Sequence, residues 1–380
     1  MLTLLFFAPF FLNGQNTIGL PEIVNYFRGD YKSGPQNRQV RQDRKGRLYF
    51  ANNDGLLVFD GIKWRTYPLP NKTILRSLQF GPDKKLYVGG QDEFGYFSPK
   101  GNGELAYYSL KDLIPEKDRS FTDVWDIYFF NDLIFFHTSN AIYQFDGNNC
   151  TVYRSNHWRF IGLFNNQLFA QDFNKGLLQF KDGVWAPFLT ESDLPQDYFA
   201  TSLTTIGKDS CLLTTLQNGV YVLTNNKVSR LSSPFLNTII DKNISAATMV
   251  NQSHIAIATN LAGCFIIDKK GNLVQSFSRK EGLQNNNVTD IFLDKEKNLW
   301  LGLDNGIDFI AYNNPIKHIY ADYLNEGSGY AARVFNNDLY IGTSNGLFKV
   351  KLDEAQDLSF AKGILSPWQI AGAKSGTYLK

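Results

Sequence analysis

Charge of one sign is not in excess in this chain of 380 residues: 38 Lys and Arg stand against 36 Asp and Glu, a formal net charge of +2. There is no basic block either, so the clustered Lys and Arg of a nucleic-acid footprint are missing and no direct contact with DNA or RNA is expected. Cysteine is scarce and odd in number. Cys150, Cys211 and Cys264 lie far apart, form no CxxC pair and have no His at metal spacing, which leaves neither a zinc site nor a disulfide framework signalled. They read as small core residues, and no metal or cofactor is expected. The four histidines, His137, His157, His254 and His318, are scattered, and none has a Ser, Cys or carboxylate partner at a motif spacing, so no catalytic residue is nominated. Long apolar runs are lacking too: Leu2–Leu12 falls short of the roughly 18 residues of a membrane span.

What the chain does have is bulk and rings. An apolar content of 43% is enough for a large core, which excludes a disordered chain or a small stapled module. Aromatics at 15%, with 31 Gly, favour pleated sheets and tight turns over helices. An all-β protein is the expectation. Residues 1–15 read as an export signal: the apolar run ends in the polar Asn13-Gly14-Gln15, but no basic residue precedes Arg28, so the leader reads as clipped at its start. A buried apolar strand is the alternative, although Phe6 to Phe11 shows no alternation.

One pattern recurs, an apolar strand, a turn ending in Gly, then a second apolar strand. LYFANNDGLLVF (48–59), LYVGGQDEFGYF (86–97), LWLGLDNGIDFI (299–310) and LYIGTSNGLFKV (339–350) are four of eight copies. Their turn residues, Gly55, Gly95, Ala141, Gly176, Gly219, Gly263, Gly306 and Gly346, recur every 35 to 46 residues, the period of a four-stranded propeller blade. In the seventh copy Val288–Leu293 is the expected inner strand, Leu299–Leu303 and Ile307 to Ile310 follow, and the outer strand is expected near Ile316 to Tyr320. In the first, Trp64–Tyr67 is expected outermost. The Asn-Gly and Asp-Gly turns suggest type I′ hairpins, with positive φ at both central residues. A lone sheet of four short strands leaves both apolar faces wet, so the copies must stack, and a ring does this where a β-helical solenoid would need shorter coils.

The expected fold is therefore all-β, a seven-bladed β-propeller of four-stranded antiparallel blades over 16–325, followed by the first blade or blades of a second propeller over 326–380. The polar, Gly-rich Asp322–Gly329 marks the boundary, and Trp368-Gln369-Ile370 resembles the inner strand of a ninth copy. A single eight-bladed ring ending near residue 355 is the rival.

The copies resemble the two-component regulator propeller repeat. The seventh carries its pattern in Asp294, Asn298, Leu299-Trp300-Leu301-Gly302 and Gly306, with Glu281–Val288 as the lead-in; the eighth carries Leu339-Tyr340-Ile341-Gly342-Thr343 and Gly346-Leu347. Copies three to six have drifted. The resemblance extends over nearly all of 16–380 and implies the periplasmic sensor of a bacterial regulator. Such a regulator has two seven-bladed rings, a triple-tyrosine module, a membrane helix and a histidine kinase or LuxR-type output, with a homodimer as the working state. The output and the helix anchoring it to the inner membrane would lie beyond Lys380, and the opening Ile18–Pro21 and the Val88–Phe97 segment look most like the LuxR-type subgroup.

Propeller geometry places a ligand where the turns between second and third strands meet the loops between blades. The candidates there are Gln91, Asp92, Glu93 and Phe94, an insertion longer than a hairpin needs, with Trp125, Asp172 and Lys175. Amides and carboxylates hydrogen-bond hydroxyls while aromatic faces cover sugar C–H surfaces, so an oligosaccharide or another small extracellular ligand is the expected partner. A secreted propeller enzyme acting on polysaccharide, lyase or hydrolase, whose acid and base come from different blades, is the competing reading. A purely structural scaffold is a third.

Overall fold

Every one of the eight turn markers stands at the start of a sheet's third strand in the computed structural model, at its first or second residue or directly before it. The structure describes residues 19–351, apart from 102, 189–190, 193, 225–226, 319–327, 337 and 345, together with 362–365. The expected export signal, the expected ninth strand at Trp368 and most of the Asp322–Gly329 boundary lie outside the described residues.

The hairpins between second and third strands close differently from the expected type I′ form. In Asn218-Gly219 and Asn305-Gly306 only the glycine has positive φ (+93° and +106°). Where the preceding strand ends in a polar residue, the side chain of that residue holds the turn instead. Asn52 Oδ1 accepts from Asp54 N at 2.9 Å, Thr215 Oγ1 from Asn218 N at 3.0 Å, and Thr259 Oγ1 from Ala262 N at 3.0 Å. Glycine is required at Gly55 (φ +119°), where a Cβ would lie 2.5 Å from the Tyr67 carbonyl oxygen. Paired positive φ values do occur, at Asn131-Asp132, Asn165-Asn166 and Asp182-Gly183, but these are turns at the other end of sheets three and four.

The chain divides into two compact units, Ile23–Asn313 and a second made of Met1–Glu22 with Asn314–Lys380. Ile23–Asn313 holds seven antiparallel sheets whose inner strands, in order, are Asn37–Gln42, Leu75–Phe80, Val124–Phe130, Trp158–Phe164, Ala200–Gly207, Ile244–Met249 and Val288–Leu293. Six sheets have four strands; the fifth gains a two-residue strand, Glu191–Ser192, running parallel to Lys227–Leu231. Each inner strand touches the next, and the seventh touches the first, so the sheets close on themselves as a β-propeller.

Closure uses a strand the sequence did not offer. The outer strand of the seventh sheet is Ile23–Tyr26, antiparallel to Ile307–Ile310, and not a segment near Ile316 to Tyr320. His318 forms an isolated bridge with Leu20, in the second unit. Pairing the ends this way ties the ring shut through backbone hydrogen bonds, which a local fourth strand would not do. Buried clusters fill the seams: Tyr49, Leu56, Leu75 and Val88 join sheets one and two, and Phe50, Phe59, Trp300 and Ile307 join one and seven. Cys211 and Cys264 are buried core residues and Cys150 is half-buried; all three are free, and burial pushes the Cys211 thiol up to about 12.

The second unit contains the eighth sheet, Gly329–Phe335, Asp338–Thr343, Gly346–Lys351 and Lys362–Leu365. Its inner strand is exposed along its whole length, with Tyr330 at 75% and Val334 at 57%.

Candidate functional site

The inner strands share a defect that builds the site. In six of the seven, the second residue is an extra one that the neighbouring strand does not match, a β-bulge, and in the first sheet Arg38 and Gln39 together face the single Ala51. The bulge lies at the end where the hairpin turns between second and third strands gather, as the Asn53 N to Gln36 O bond shows in the first sheet. The seven re-aimed residues are Arg38, Arg76, Trp125, Arg159, Thr201, Ser245 and Thr289. Three arginines and a tryptophan occupy sheets one to four, and three hydroxyls occupy sheets five to seven.

The hydroxyl half is tied to backbone and to itself. Thr289 Oγ1 bonds the carbonyl of Asn37 on the next inner strand at 2.5 Å, Ser245 Oγ that of Val288 at 2.7 Å, and Thr201 meets Thr214 at 2.8 Å. Across sheets seven, one, two and three runs a polar chain. Gln36 donates to Asp304 at 2.7 Å, Arg76 donates to Gln36 at 2.7 Å, and Arg76 pairs with Asp123 at 2.8 Å. The Trp125 ring lies 5.0 Å from the Arg38 guanidinium and 5.5 Å from that of Arg76. Among the described residues, Arg38 makes no hydrogen bond or ion pair through its guanidinium. Burial first, and then the like charge of Arg76, lower its pKa, against the fields of Asp126, Asp123 and Asp304. Arg159, half-buried at the equivalent place in sheet four, lies 5.6 Å from the Phe173 ring and likewise has no hydrogen bond or ion pair through its guanidinium among the described residues.

Below this level the channel is polar and occupied. Gln39 donates to the Trp125 carbonyl at 3.4 Å and to Asp126 at 3.3 Å, and Arg41 reaches Gln79 at 3.1 Å and Asp290 at 3.3 Å. Burial raises the Asp290 carboxyl despite that arginine. His137, 1% exposed, has neither ring nitrogen hydrogen-bonded, with Nδ1 3.4 Å from Asp126 Oδ2.

The expected site residues separate into different roles. Gln91 and Asp92 line an open cleft of about 500 Å³ with Asn71, Lys72, Thr73, Ile74, Phe121 and Thr122. Gln91 also bridges Asp123, two residues before Trp125, and Asp92 pairs with Lys111 at 2.8 Å. Three expectations need correction. Glu93 is a structural pin: its Oε1 accepts from Tyr107 Oη at 3.0 Å, Ser109 Oγ at 2.7 Å and Phe94 N at 3.0 Å. Phe94 is fully buried and stacked on Phe136 at 4.4 Å, so it has no face to offer a ligand. Asp172, 1% exposed, forms its own turn, taking hydrogen bonds from Ser155 Oγ at 2.7 Å and from the N–H groups of Asn174 (3.0 Å) and Lys175 (3.2 Å). Lys175 is exposed on that turn, and Trp125 stands at the mouth, under arginines rather than open. The sequence reading missed Arg38, Arg76 and Arg159. An Arg directly after the first residue of three of the first four inner strands was the available signal.

Residues 282–305 match the model of the two component regulator propeller. The seventh repeat is a two component regulator propeller repeat. Its pattern is physical here: Asp294 Oδ1 accepts from Asn298 N at 2.8 Å to close the turn, and its Oδ2 accepts from Trp300 Nε1 at 3.1 Å. No curated protein matches the chain in sequence. Among solved structures, the extracellular domain of the B. thetaiotaomicron hybrid two component system BT3049 is similar at 19% identity and a TM-score of 0.67, over 92% of this chain and 50% of that one. That of BT4673 from the same organism gives 20% and 0.62, over 87% and 46%. The chain thus spans about half the length of these domains. A catalytically inactive variant of virginiamycin B lyase from Staphylococcus aureus, solved with quinupristin, is similar at 15% identity and a TM-score of 0.59, over 76% of this chain and 98% of that one. At these identities the likeness establishes the propeller fold.

Proposed function

We propose that this chain is the extracytoplasmic sensing region of a bacterial signal-transduction regulator of the two component regulator propeller family. It would bind a ligand without transforming it and pass the event to an output module in the rest of the regulator. The observation that carries the reading is the repeat at 282–305, set in a fold shared with extracellular domains of two component systems. On this reading the seven closed sheets are the seven blades of a first propeller, and the eighth sheet, with its exposed inner strand, is the first blade of a second. Residues 1–15 serve export to the periplasm, anchoring is to the inner membrane, the regulator works as a homodimer, and the ligand is an oligosaccharide or similar small molecule. Among the described residues no helix is long and apolar enough to cross a membrane.

The lyase likeness favours a second reading, a propeller enzyme. One experiment separates the two. In a thermal-shift screen of oligosaccharides against the 380-residue chain, a sensor's ligand raises the melting point and is recovered intact. At 100 times its dissociation constant it stabilises by about 2.7 kcal/mol. Cleaved product in the same wells would replace the sensing reading with the enzymatic one.

A further inference from the structure

We infer that the bulge-lined mouth of the propeller is an anion-recognition site, and that its ligand is an oligosaccharide carrying carboxylate or sulfate groups, met first by Arg38. This rests on the sensing reading and names its ligand class. Guanidinium groups withdrawn from water are costly unless hydrogen-bonded or paired. Arg76, at the same strand position, meets that requirement within the chain through Asp123 and Gln36. Arg38 does not: it is half-buried, held at 5.0 Å from Trp125, and has no hydrogen-bonding partner among the described residues. The nearby carboxylates are engaged elsewhere, Asp123 by Arg76, Asp304 by Gln36, and Asp126 by Gln39.

The planar fork of Arg38 is therefore held by an aromatic ring, with its five N–H donors unspent, at the rim of a channel whose deeper level is already filled by Arg41, Gln79 and Asp290. A carboxylate or sulfate supplies the missing bidentate acceptor. Arg159, at the same level of sheet four, adds a cation with no hydrogen-bonding partner among the described residues, which suits a ligand with repeated anionic groups rather than one lone ion. Trp125 acts through Arg38 as a positioning residue.

Calorimetric titration of the 380-residue chain tests this with three probes: trigalacturonate for carboxylates, galactose 6-sulfate for sulfates, and galactotriose as the neutral control. One anionic probe is expected to bind, more weakly as salt rises, and to lose about tenfold or more in affinity in Arg38→Gln. Arg38→Lys should recover part of that loss. The unliganded Arg38→Gln chain should melt no lower than wild type, because the replaced cation lacks an internal partner; a marked drop would mean that the stacking on Trp125 is structural, and would overturn the inference. Failure of both anions to bind, or binding unchanged in both Arg38→Gln and Arg159→Gln, overturns it as well. Binding of galactotriose unaffected by Arg38→Gln would sink the anion site while leaving the sensing reading intact, whereas cleavage of any probe would sink the sensing reading.

Discussion

Carboxylates on the hairpin turns do two jobs that a sequence reading merges. Asp172 stands where Asn52, Thr138, Thr215 and Thr259 stand in other sheets, as the last residue of a second strand. Burial works to raise its carboxyl, but the Ser155 hydroxyl and two backbone N–H groups outweigh this and hold it below the ordinary value. A lowered folded-state pKa contributes stability that is complete above the unfolded value, about 3.9, and disappears as the pH falls through the folded value. Urea midpoints of wild type and Asp172→Asn should therefore converge as the pH is taken from 7 toward 3; a constant gap would mean that the charge is not what holds the turn. Glu93 likewise stabilises the outer hairpin of sheet two. Glu93→Ala should cost about 1–3 kcal/mol, measured by denaturant unfolding, because Tyr107 and Ser109 lose their acceptor. Asp92→Ala, exposed and paired only at its rim with Lys111, should stay within about 0.5 kcal/mol of wild type in the same assay. Composition and spacing flagged all three alike, since polar turn residues look the same whether they face inward or outward.

Strands were more legible than the residues on them. The pairing of apolar segments around a turn residue, glycine in every sheet but the third, marked the second and third strands, and Trp64–Tyr67 and Val288–Leu293 take the places expected of them. The bulges were invisible, because an extra residue in one strand is defined only against its partner's register. With them went the arginines, which in a linear reading are ordinary charged residues beside a strand. The last outer strand was misplaced for a related reason: its partner is separated from it by nearly the whole ring. Its anchoring is polar as well as apolar. Asn25 Nδ2 donates to Asp308 Oδ1 at 2.7 Å, Gln284 donates to both Asp308 oxygens, and Tyr26 stacks on Trp300 at 5.8 Å. Burial raises the Asp308 carboxyl against these donors. Removing one of them, in Asn25→Ala, should destabilise the ring by about 1–3 kcal/mol, and removing residues 1–26 should lower the melting point further; an unchanged melt in the truncated chain would show that closure does not depend on this strand.

At the scale of the whole molecule, Ile23–Asn313 holds the seven sheets and their seams, and the eighth sheet belongs to the other unit. A chain ending at Asn313 should therefore keep the main cooperative transition at the temperature seen in the full chain, by circular dichroism at a fixed scan rate. A substantially lower transition would show that the larger unit draws stability from the rest. The pairing of Ile23–Tyr26 with Ile307–Ile310 also sets an order of events during synthesis. Ile23–Tyr26 is made before every other strand of the seven sheets and is the last of them to find its mate, so six sheets must form in an open arc whose two rims stay unpaired until the final hairpin appears. Such long-range joining is slow and leaves edges available to other chains. Any holding factor that binds extended segments would act most usefully on residues 23–26 in that interval.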